Sequence, residues 1–507
     1  MENKQSYRFE DISNILNLDV IYTGQELNFP VSSVTNNSAK VNSDTVFFAI
    51  KGYKSDGHEY IKSAFEAGAS VCFVEDISFV KDIYINKVII VKDSRLAYSR
   101  FCRVFYQYPD RDLTIIGVTG TNGKTTTTYM IRSILMEAKK KVGLIGTIQN
   151  IINTELVKTN LTTPDSEEFY RLLAEMKAQG VNVVVCELSS HALALDRVDG
   201  LALDIAIYTN ITRDHFDFHK SLEEYFNAKM KIFDLLDKSE KIHKCAVINK
   251  DDQLFNLVLP RTANRSFECF TTGLTKESDY HAPNTQAEAK ILSLNSFTCN
   301  LPIGRQIAIT TQMLGSFNVY NCLAAIASTD FLGASENNIR DGLSKVTVKG
   351  RFEVIPVLNG GIAIVDYAHT DDALTNVLKA ICEFKINRLI TVFGCGGNRD
   401  KEKRPLMGEA VARLSDVIIV TSDNPRNENP VKIIEDIIPG ILKYKSEYIS
   451  LTDRKEAIYF ALKTMEQNDI ILIAGKGHED YQIIGSNTNY FSDQAVVLEY
   501  LKKVKVE

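Results

Sequence analysis

The chain has 507 residues, of which 45% are hydrophobic and 24% charged, and its formal net charge is −6. This length predicts roughly two to four domains, and the acidic balance, with a pI near 5.9, argues against nucleic acid or an anionic membrane as the main partner. No run of about 18 apolar residues occurs, so neither a signal peptide nor a membrane span is expected, and the nine scattered cysteines, without a Cys-x-x-Cys pair, indicate reduced thiols in a cytoplasmic protein rather than a zinc site.

The first segment of the chain, residues 1–108, has a mixed pattern. Its short apolar runs at 45–50, 70–74 and 87–91 are typical of strands, and helical stretches lie between them. Pro109-Asp110 follows and is a plausible joint. We therefore expect the first domain to end at about residue 108.

The second segment, residues 109–346, alternates between strand and helix. Its β-rich runs occur at 113–118, 181–186, 203–208 and 245–248. Strands of this kind, separated by helical stretches, predict a parallel sheet with crossover helices.

A phosphate-binding loop is predicted where the first of these strands ends. The run 113–118 leads into Gly120-Thr121-Asn122-Gly123-Lys124-Thr125-Thr126, and a helical stretch at 127–136 follows. Glycines let backbone N–H groups approach phosphate oxygens, a lysine supplies a point charge and a threonine hydroxyl suits Mg²⁺. The spacing departs from the standard G-x-x-x-x-G-K-[ST], because Val118 stands where the first glycine should be. The layout nevertheless predicts that the chain binds ATP or GTP.

Two further strand ends of this segment carry groups that could hold a metal. Glu187 ends the run at 181–186, and an acidic residue at the end of a buried strand near a phosphate loop is the usual second ligand of Mg²⁺. A glutamate that only caps the next turn would have the same pattern. His215 follows the run at 203–208, where it is either a metal ligand or a structural imidazole, and its place at a strand end favours the ligand.

The third segment, residues 347–507, contains a second set of strands and helices. Apolar runs at 363–365, 389–393, 417–420 and 470–473 each end in polar sequence, namely Asp366 to His369, Gly394 to Arg399, Ser422 to Arg426 and Gly475 to Glu479. Ligands of open parallel sheets bind at the carboxyl ends of strands, so these ends predict a second binding surface. The expected fold is α/β with three domains: an N-terminal domain, a central P-loop parallel-sheet ATPase domain and a C-terminal Rossmann-like domain.

Several motifs resemble those of the Mur ligases, the ATP-dependent amino-acid ligases of peptidoglycan precursor synthesis. The phosphate loop, Asp214-His215 and the segment Gly315 to Asn321 carry this likeness. The segments Leu161 to Ser166, Glu187 to Arg197 and Asp423-Asn424-Pro425-Arg426 resemble the member that adds the third residue to UDP-N-acetylmuramoyl-L-Ala-D-Glu. The resemblance extends nearly end to end, and Asp-Asn-Pro-Arg is similar to the version that uses meso-diaminopimelate rather than L-Lys.

The resemblance implies an ADP-forming ligase of peptidoglycan synthesis and cell-wall biogenesis, and hence of cell shape and division. ATP would phosphorylate the D-Glu side-chain carboxylate, and the amine of meso-diaminopimelate would attack the acyl phosphate. Catalysis of this kind depends on positioning and charge neutralisation. The implied cofactor is Mg²⁺, the implied partners are the two substrates, and the protein is expected to be a monomer.

The resemblance also implies roles for individual residues. Those expected to act in catalysis are Lys124, Glu187, His215 and Lys229, and those expected to hold Mg²⁺ are Thr125, Glu187, His215 and a carbamylated Lys229. Those expected to bind ATP are Gly120, Thr121, Asn122, Gly123, Lys124, Thr125, Thr126, Asn318, Arg351, Asp366 and His369. Those expected to bind the UDP-linked substrate are Ser38, Thr162, Thr163, Ser189 and Arg197. Those expected to bind the amino acid are Arg399, Asp423, Asn424, Arg426, Gly475 and Glu479.

Three positions depart from the family pattern. Ala39 stands where the family often has Arg, Leu195 where it sometimes has Gln, and Asn398 where it usually has Asp. The first two changes remove side chains that would contact the UDP-linked substrate.

Other functions remain to be weighed. The same ligase could use L-Lys, or the chain could be the ligase adding D-Ala-D-Ala or resemble a folylpolyglutamate synthase, but the segment 162–166 and the Asp-Asn-Pro-Arg motif argue against the last two. A nucleotide-binding switch or scaffold without catalysis would be expected to have lost Lys124, Glu187, His215 and Lys229, which are intact.

Overall fold

The computed structural model describes residues 5–8, 13–14, 16, 18, 20–22, 28–52, 55–159, 161–283, 285–286 and 295–504. Within these residues the chain forms an N-terminal, a central and a C-terminal sheet in sequence order, each covered by helices. The predicted α/β fold is therefore confirmed. All the cysteines lie in this part of the chain and are free thiols. No helix of the described residues is both long and apolar enough to cross a membrane.

The N-terminal layer is built on a five-stranded sheet. Its elements are β1 (Gln5–Arg8), β2 (Val20–Tyr22), β3 (Asn28–Val31), β4 (Ser33–Thr35), β5 (Thr45–Phe48), α1 (Ile61–Glu66), β6 (Ala69–Val74), β7 (Val88–Val91) and α2 (Ser94–Phe105). The sheet has the order β2-β7-β6-β5-β4 and is parallel except for β2, while β1 and β3 pair separately. The predicted strand runs coincide with β5, β6 and β7, whose side chains are almost all buried.

The central layer contains a 12-stranded sheet. Its strands are β8 (Thr114–Thr119), β9 (Val142–Ile145), β10 (Asn150–Ile152), β11 (Glu155–Val157), β12 (Val183–Glu187), β13 (Ile205–Tyr208), β14 (Cys245–Asn249), β15 (Glu268–Gly273), β16 (Tyr280–His281), β17 (Thr285–Gln286), β18 (Asn295–Asn300) and β19 (Gln306–Thr311). Its helices are α3 (Lys124–Glu137), α4 (Ser166–Ala178), α5 (Ser190–Ala194), α6 (Leu222–Lys238), α7 (Phe255–Thr262), α8 (Ser316–Phe331) and α9 (Glu336–Lys345).

The central sheet is parallel in its middle, where the four predicted runs coincide with β8, β12, β13 and β14, and it is antiparallel at both edges. The order is β11-β10-β9-β12-β8-β13-β14-β15-β16-β18-β17, with β19 paired to β18. Strands β9 to β16 in this order run parallel, and the pairings beyond them are antiparallel. Parallel strands need helices on both faces, which fits the continuous burial of β12 and β13, whereas β18 alternates buried and exposed residues as a one-sided antiparallel strand does.

The C-terminal layer contains a six-stranded sheet and a separate hairpin. Its elements are β20 (Glu353–Pro356), β21 (Ile362–Asp366), α10 (Asp371–Cys382), β22 (Leu389–Phe393), α11 (Lys403–Leu414), β23 (Val417–Val420), α12 (Pro430–Ile441), β24 (Ile449–Ser450), α13 (Arg454–Thr464), β25 (Ile470–Ala474), β26 (Tyr481–Ile484), β27 (Asn487–Tyr490) and α14 (Asp493–Val504). The order is β20-β21-β25-β22-β23-β24, parallel except for β20. The apolar runs predicted in this segment coincide with β21, β22, β23 and β25.

The hydrophobic cores determine how the layers are joined. One cluster runs from the N-terminal layer, at Phe48 and Phe101, into the central layer, at Phe169 and Leu203. The C-terminal sheet has its own clusters, one under α10, α11 and α12 and the other under α13 and α14. The N-terminal and central layers thus share a core, whereas the C-terminal layer packs around cores of its own. The carboxyl ends of the central and C-terminal strands face each other across a cleft.

Candidate active site

The predicted phosphate loop is a tight turn between β8 and α3. Gly120 has φ +148° and Gly123 has φ +87°, both in the region that favours glycine. A side chain on Gly120 would collide with Thr209 Oγ1, and one on Gly123 would collide with Asn321 Oδ1. Both glycines are therefore required by conformation and by space, even though their spacing is unusual.

Lys124, the first residue of α3, folds its ammonium back over this loop. Its Nζ donates to the carbonyl oxygens of Gly120 (2.8 Å) and Thr121 (2.9 Å). Burial lowers the pKa of Lys124, and the nearby carboxylate of Glu187 opposes that change. An ammonium has three N–H donors, so one remains for a phosphate oxygen.

Glu187 ends β12 at the same edge of the sheet as the phosphate loop. Its buried carboxylate accepts hydrogen bonds from Thr125 Oγ1 (3.0 Å), Thr147 Oγ1 (2.9 Å) and Thr147 N (2.9 Å). A carboxylate and a threonine hydroxyl this close supply the hard oxygen ligands that Mg²⁺ prefers. Among the described residues no group of three or more His, Cys, Asp and Glu side chains could hold a metal ion. The Thr125–Glu187 pair instead fits Mg²⁺ of the type that is held by one or two protein ligands together with substrate phosphates.

His215 lies beyond the end of β13, next to Asp214. Its backbone has φ +57°, and its Nε2 lies 3.3 Å from Asp214 Oδ2. Its ring meets the ring of His191 edge-on, with centroids 4.8 Å apart. Desolvation lowers the pKa of His215 and Asp214 opposes the change, which favours the neutral imidazole that can act as a metal ligand.

Lys229 projects from α6 to the back of the phosphate loop. It is 1% exposed, and its Nζ donates to Gly120 O (2.7 Å), the same carbonyl that accepts from Lys124. Burial lowers the pKa of Lys229 well below its ordinary value, and the charge of Lys124 adds to this effect. Only a neutral amine can add to CO₂, so burial favours the form that carbamylation requires.

Three of the residues predicted to bind ATP come from the C-terminal layer. The Arg351 guanidinium lies over the ring of Tyr367, 4.3 Å from its centroid, and reaches Thr125 Oγ1 at 3.4 Å. Asp366 ends β21 and accepts from two backbone N–H groups at 2.7 Å each, so its carboxylate also fixes its own turn. His369 Nδ1 lies 2.8 Å from the carbonyl of Tyr367. The C-terminal layer thus reaches over the phosphate loop.

Two polar residues that line the site, Thr147 and Asp372, escape the sequence analysis. Thr147, which donates to Glu187, follows β9. The apolar run of β9 is a signal in the sequence, because a polar residue after that run lies at the same sheet edge as Glu187. Asp372 joins the layers: its Oδ2 accepts from Asn122 Nδ2 (2.8 Å) and Thr212 Oγ1 (3.3 Å). Asn122 and Asp372 are 250 residues apart, so no local pattern links them.

Most residues predicted for the UDP-linked substrate gather around the end of β12. Thr163 Oγ1 donates to the carbonyl of Glu187 (2.7 Å), and Ser189 N donates to Thr163 Oγ1 (3.0 Å). The Arg197 guanidinium donates to the carbonyl of Thr163 (3.1 Å), and Thr162 lies beside Thr147 through their hydroxyls, 3.0 Å apart. This cluster is therefore next to the candidate Mg²⁺ ligands.

Ser38, the remaining substrate residue, lies in the N-terminal layer. It begins a short 3-10 helix, Ser38–Lys40, and lines neither of the two cavities described below. The layers meet near Arg197, whose carbonyl accepts from Ser99 Oγ at 3.0 Å. Ser38 therefore lies outside the lining of these two cavities, and its role in binding the UDP-linked substrate stays a prediction.

The residues predicted to bind the amino acid all line one cavity of about 200 Å³, namely Arg399, Asp423, Asn424, Arg426, Gly475 and Glu479. Asn424 Nδ2 donates to Glu479 Oε2 (2.9 Å). Arg426 Nη1 donates to the carbonyl of Gly397 (2.9 Å), and within the described part of the chain no carboxylate pairs with this guanidinium. The cavity therefore presents a positively charged donor that could bind an anionic group of a ligand.

The same cavity is closed on one side by the central layer. Arg399 Nη1 lies 3.3 Å from Asp217 Oδ2, so the central and C-terminal layers are bridged at the cavity rim. Asn398 adopts φ +54°, which asparagine tolerates well, and its Oδ1 accepts from Asn427 N (3.2 Å). The Asp-to-Asn departure therefore still ties the glycine turn to the loop of Arg426.

A larger cavity of about 440 Å³ contains most of the predicted ATP and metal residues. The predicted residues that line it are Thr121, Asn122, Gly123, Lys124, Thr125, Thr126, Thr162, Glu187, Ser189, His215, Lys229, Asn318, Arg351, Asp366 and His369. The two cavities share the wall formed by Asp214, His215, Tyr367 and His369. A group bound in the smaller cavity can therefore meet a phosphate bound in the larger one.

Three family models match successive parts of the chain. Residues 30–111 match the model described as "Mur ligase family, catalytic domain", residues 118–329 match "Mur ligase middle domain", and residues 350–477 match "Mur ligase, glutamate ligase domain". The matches follow the three layers in order.

Relatives resemble the chain over nearly its whole length. It is 42% identical to the UDP-N-acetylmuramoyl-L-alanyl-D-glutamate–2,6-diaminopimelate ligase of Caldanaerobacter subterraneus subsp. tengcongensis, over 94% of this chain and 95% of the relative. It is 41% identical to the ligase of that name from Clostridioides difficile, over 97% and 99%. A solved structure of a ligase of that name, 30% identical, superposes with a TM-score of 0.69 over 99% of this chain and 100% of the other.

Proposed function

This chain belongs to the Mur ligase family, and we propose that it joins meso-diaminopimelate to the D-Glu side-chain carboxylate of UDP-N-acetylmuramoyl-L-Ala-D-Glu, with conversion of ATP to ADP and phosphate. One observation carries the proposal: the cavity of the phosphate loop and the cavity of Arg426 share a wall at His215 and His369. An ATP-dependent amide ligase needs this arrangement, because the amine must reach a carboxylate that has just been phosphorylated.

The reaction has two steps. An oxygen of the D-Glu carboxylate attacks the γ-phosphorus of ATP, and the bond to ADP breaks. The neutral amine of the amino acid then attacks the acyl carbon, the resulting tetrahedral intermediate loses phosphate, and the amine gives up its proton. Lys124 and the loop N–H groups would stabilise charge on the transferred phosphate, and the closed cleft would exclude the water that hydrolyses acyl phosphates.

Metal binding is proposed for two positions. Thr125 and Glu187 would hold one Mg²⁺, and His215 with carbamylated Lys229 would hold the other. Bound Mg²⁺ neutralises phosphate charge. The contacts that support this are the Thr125–Glu187 hydrogen bond and the burial of the Lys229 amine beside the loop.

The choice of meso-diaminopimelate as the amino-acid substrate rests on the Arg426 guanidinium, which pairs with no carboxylate among the described residues. A guanidinium matches a carboxylate with two parallel hydrogen bonds, and meso-diaminopimelate has a distal carboxylate that L-Lys lacks. Asn424 would donate to the same carboxylate and Glu479 would accept from the distal ammonium. Arg399, Asp423 and Gly475 would complete the pocket. In the larger cavity Asn318, Arg351, Asp366 and His369 would bind ATP, while Ser38, Thr162, Thr163, Ser189 and Arg197 would hold the UDP-linked substrate.

The wider organisation is also proposed. Domain boundaries near residues 108 and 346 fit the ranges of the sheets and of the family models, although the first two domains share a core. We propose a monomer that works in the cytoplasm, where ATP and a nucleotide-linked precursor are both supplied.

Phosphate release tests the function directly. The purified protein is incubated with ATP, Mg²⁺ and UDP-N-acetylmuramoyl-L-Ala-D-Glu, and meso-diaminopimelate, L-Lys or D-Ala-D-Ala is added in turn; folate with L-Glu is a separate arm. We expect release and product formation with meso-diaminopimelate, and a preference over L-Lys of roughly 10⁴-fold, because the Arg426 guanidinium would otherwise lose its carboxylate partner. Equal use of L-Lys would refute the assignment of Arg426, and no turnover with meso-diaminopimelate would refute the function.

A further inference from the structure

Lys476 is a fully buried lysine behind the amino-acid cavity, and the proposed reaction gives it no role. Its side chain is 0% exposed, and its Nζ lies 3.1 Å from Asn424 Oδ1 and 3.3 Å from Glu479 Oε2, donating to both. An ammonium is costly to bury unless it is paired and hydrogen-bonded. Both of its partners are proposed to bind the amino acid, so its placement bears on that pocket.

The orientation of the Asn424 amide follows from its neighbours. Oδ1 accepts from Lys476 Nζ and from the backbone N–H of Ile483 (3.0 Å). Neither of these groups can accept a hydrogen bond, so a flipped amide would place its NH₂ against two donors. Asn424 must therefore turn its NH₂ outward, that is, away from Lys476 and toward Glu479. One N–H then donates to Glu479, and within the described residues the other has no acceptor, which leaves it for a carboxylate in the cavity.

Lys476 also determines what Glu479 can bind. One oxygen of Glu479 is already shared by Lys476 and Asn424. An ammonium that arrives alone at Glu479 meets the positive charge of Lys476 directly behind it. An ammonium that brings a carboxylate is better received, because Arg426 and the outward N–H of Asn424 can bind the anion. The pocket is thus arranged for a zwitterionic group.

We propose that Lys476 is a positioning residue that turns Asn424 and Glu479 toward the zwitterionic distal end of the amino acid, and so disfavours amino acids whose distal end is a lone ammonium. This inference rests on the proposed function, since it takes meso-diaminopimelate as the amino-acid substrate.

Lys476→Met tests the inference, because it removes the charge and keeps most of the side-chain length. We expect KM for meso-diaminopimelate to rise about tenfold or more, and the ratio of kcat/KM for meso-diaminopimelate to that for L-Lys to fall about tenfold, the effect of losing one charge-assisted contact. KM for ATP and for the UDP-linked substrate should stay within about twofold. Lys476→Arg, which keeps the charge, should recover part of the ratio.

The matched control is Lys443→Met, since Lys443 is 57% exposed on the same layer and, among the described residues, pairs with Glu409 alone. This control should leave unchanged the ratio of kcat/KM values and the KM for meso-diaminopimelate, for ATP and for the UDP-linked substrate. If Lys476→Met lowers activity with both amino acids equally, or leaves the ratio unchanged, Lys476 has only a structural role and the inference is overturned.

A second variant decides the matter if Lys476→Met does not fold. Asn424→Asp keeps the shape and the inward oxygen but replaces the outward NH₂ by an oxygen that faces Glu479. We expect kcat/KM for meso-diaminopimelate to fall about 10²-fold. A nearly unchanged value would mean that the amide faces the other way, which overturns the inference. Wild-type turnover of meso-diaminopimelate separates these failures from failure of the proposed function.

Discussion

The two walls of the cleft satisfy their polar groups differently. On the phosphate wall the groups bind one another: Glu187 accepts from Thr125 and Thr147, and Lys124 and Lys229 share the carbonyl of Gly120. On the amino-acid wall Arg426 donates to a backbone carbonyl, and within the described residues no carboxylate faces it.

The difference separates chemistry from selection. A network in which the charged groups already bind one another holds its charges in place before ligands arrive, so little reorganisation is needed when phosphate is transferred. On a wall whose donors have no acceptor in the protein, the correct ligand supplies the acceptors. An analogue that leaves these donors unpaired is rejected. Substitutions on the first wall should therefore affect every substrate, and those on the second should depend on the amino acid.

The largest effect is expected from Lys124→Ala on the phosphate wall. Loss of a cation from the transferring phosphate should reduce kcat about 10³-fold or more with any amino acid. Phosphate release measures the loss, and thermal unfolding should show that the fold survives. Lys140→Ala, on an exposed lysine just beyond the same helix, serves as the control. Ligation at the wild-type rate by the Lys124 variant would remove the phosphate-loop assignment.

Lys229→Ala should come next. We expect kcat to fall about 10²- to 10³-fold, and acetate or formate to restore part of it, because a small carboxylate can occupy the place of the carbamate. The comparison is made with Lys238→Ala, an exposed lysine at the end of the same helix, which acetate should not affect. Full activity in the Lys229 variant without added anion would show that no carbamate is needed.

Arg426→Ala should sharpen the contrast between the walls. The kcat/KM for meso-diaminopimelate is expected to fall about 10²- to 10³-fold, because the distal carboxylate loses a charged partner, while the low activity with L-Lys should change little. Parallel assays with the two amino acids measure this. An equal loss with both would mean that Arg426 supports the fold of the pocket rather than its choice of substrate.

The smallest effect is expected where the walls touch. Asp372→Ala removes the acceptor that joins Asn122 and Thr212 to the C-terminal layer, and should raise KM for ATP about two- to tenfold.

Small-angle scattering should also show domain closure of the wild type when an ATP analogue and the UDP-linked substrate are added, since the acyl phosphate must be shielded from water. Identical scattering with and without these ligands would count against closure.

Most of the strands follow from the sequence pattern, and the site residues are predicted from strand ends together with the resemblance to the Mur ligases. Apolar runs such as 389–393 and 417–420 form buried strands. A strand that is covered on both faces has apolar residues at successive positions, so its sequence does not alternate between apolar and polar residues. Polar side chains after such runs lie at the carboxyl edge of their own sheet, Glu187 at the edge of the central sheet and Asp366 and Asn424 at the edge of the C-terminal sheet. These patterns are local, so one sequence is enough to read them.

The tertiary structure alone decided which edges face each other. The core shared by the first two layers and the bridge from Asn122 to Asp372 both join segments far apart in the chain, and burial can be satisfied by many such pairings. Lys476 makes the same point most clearly. In the sequence it is one lysine between two glycines, and only the fold places it behind Asn424 and Glu479, where the lack of water requires each donor to find an acceptor.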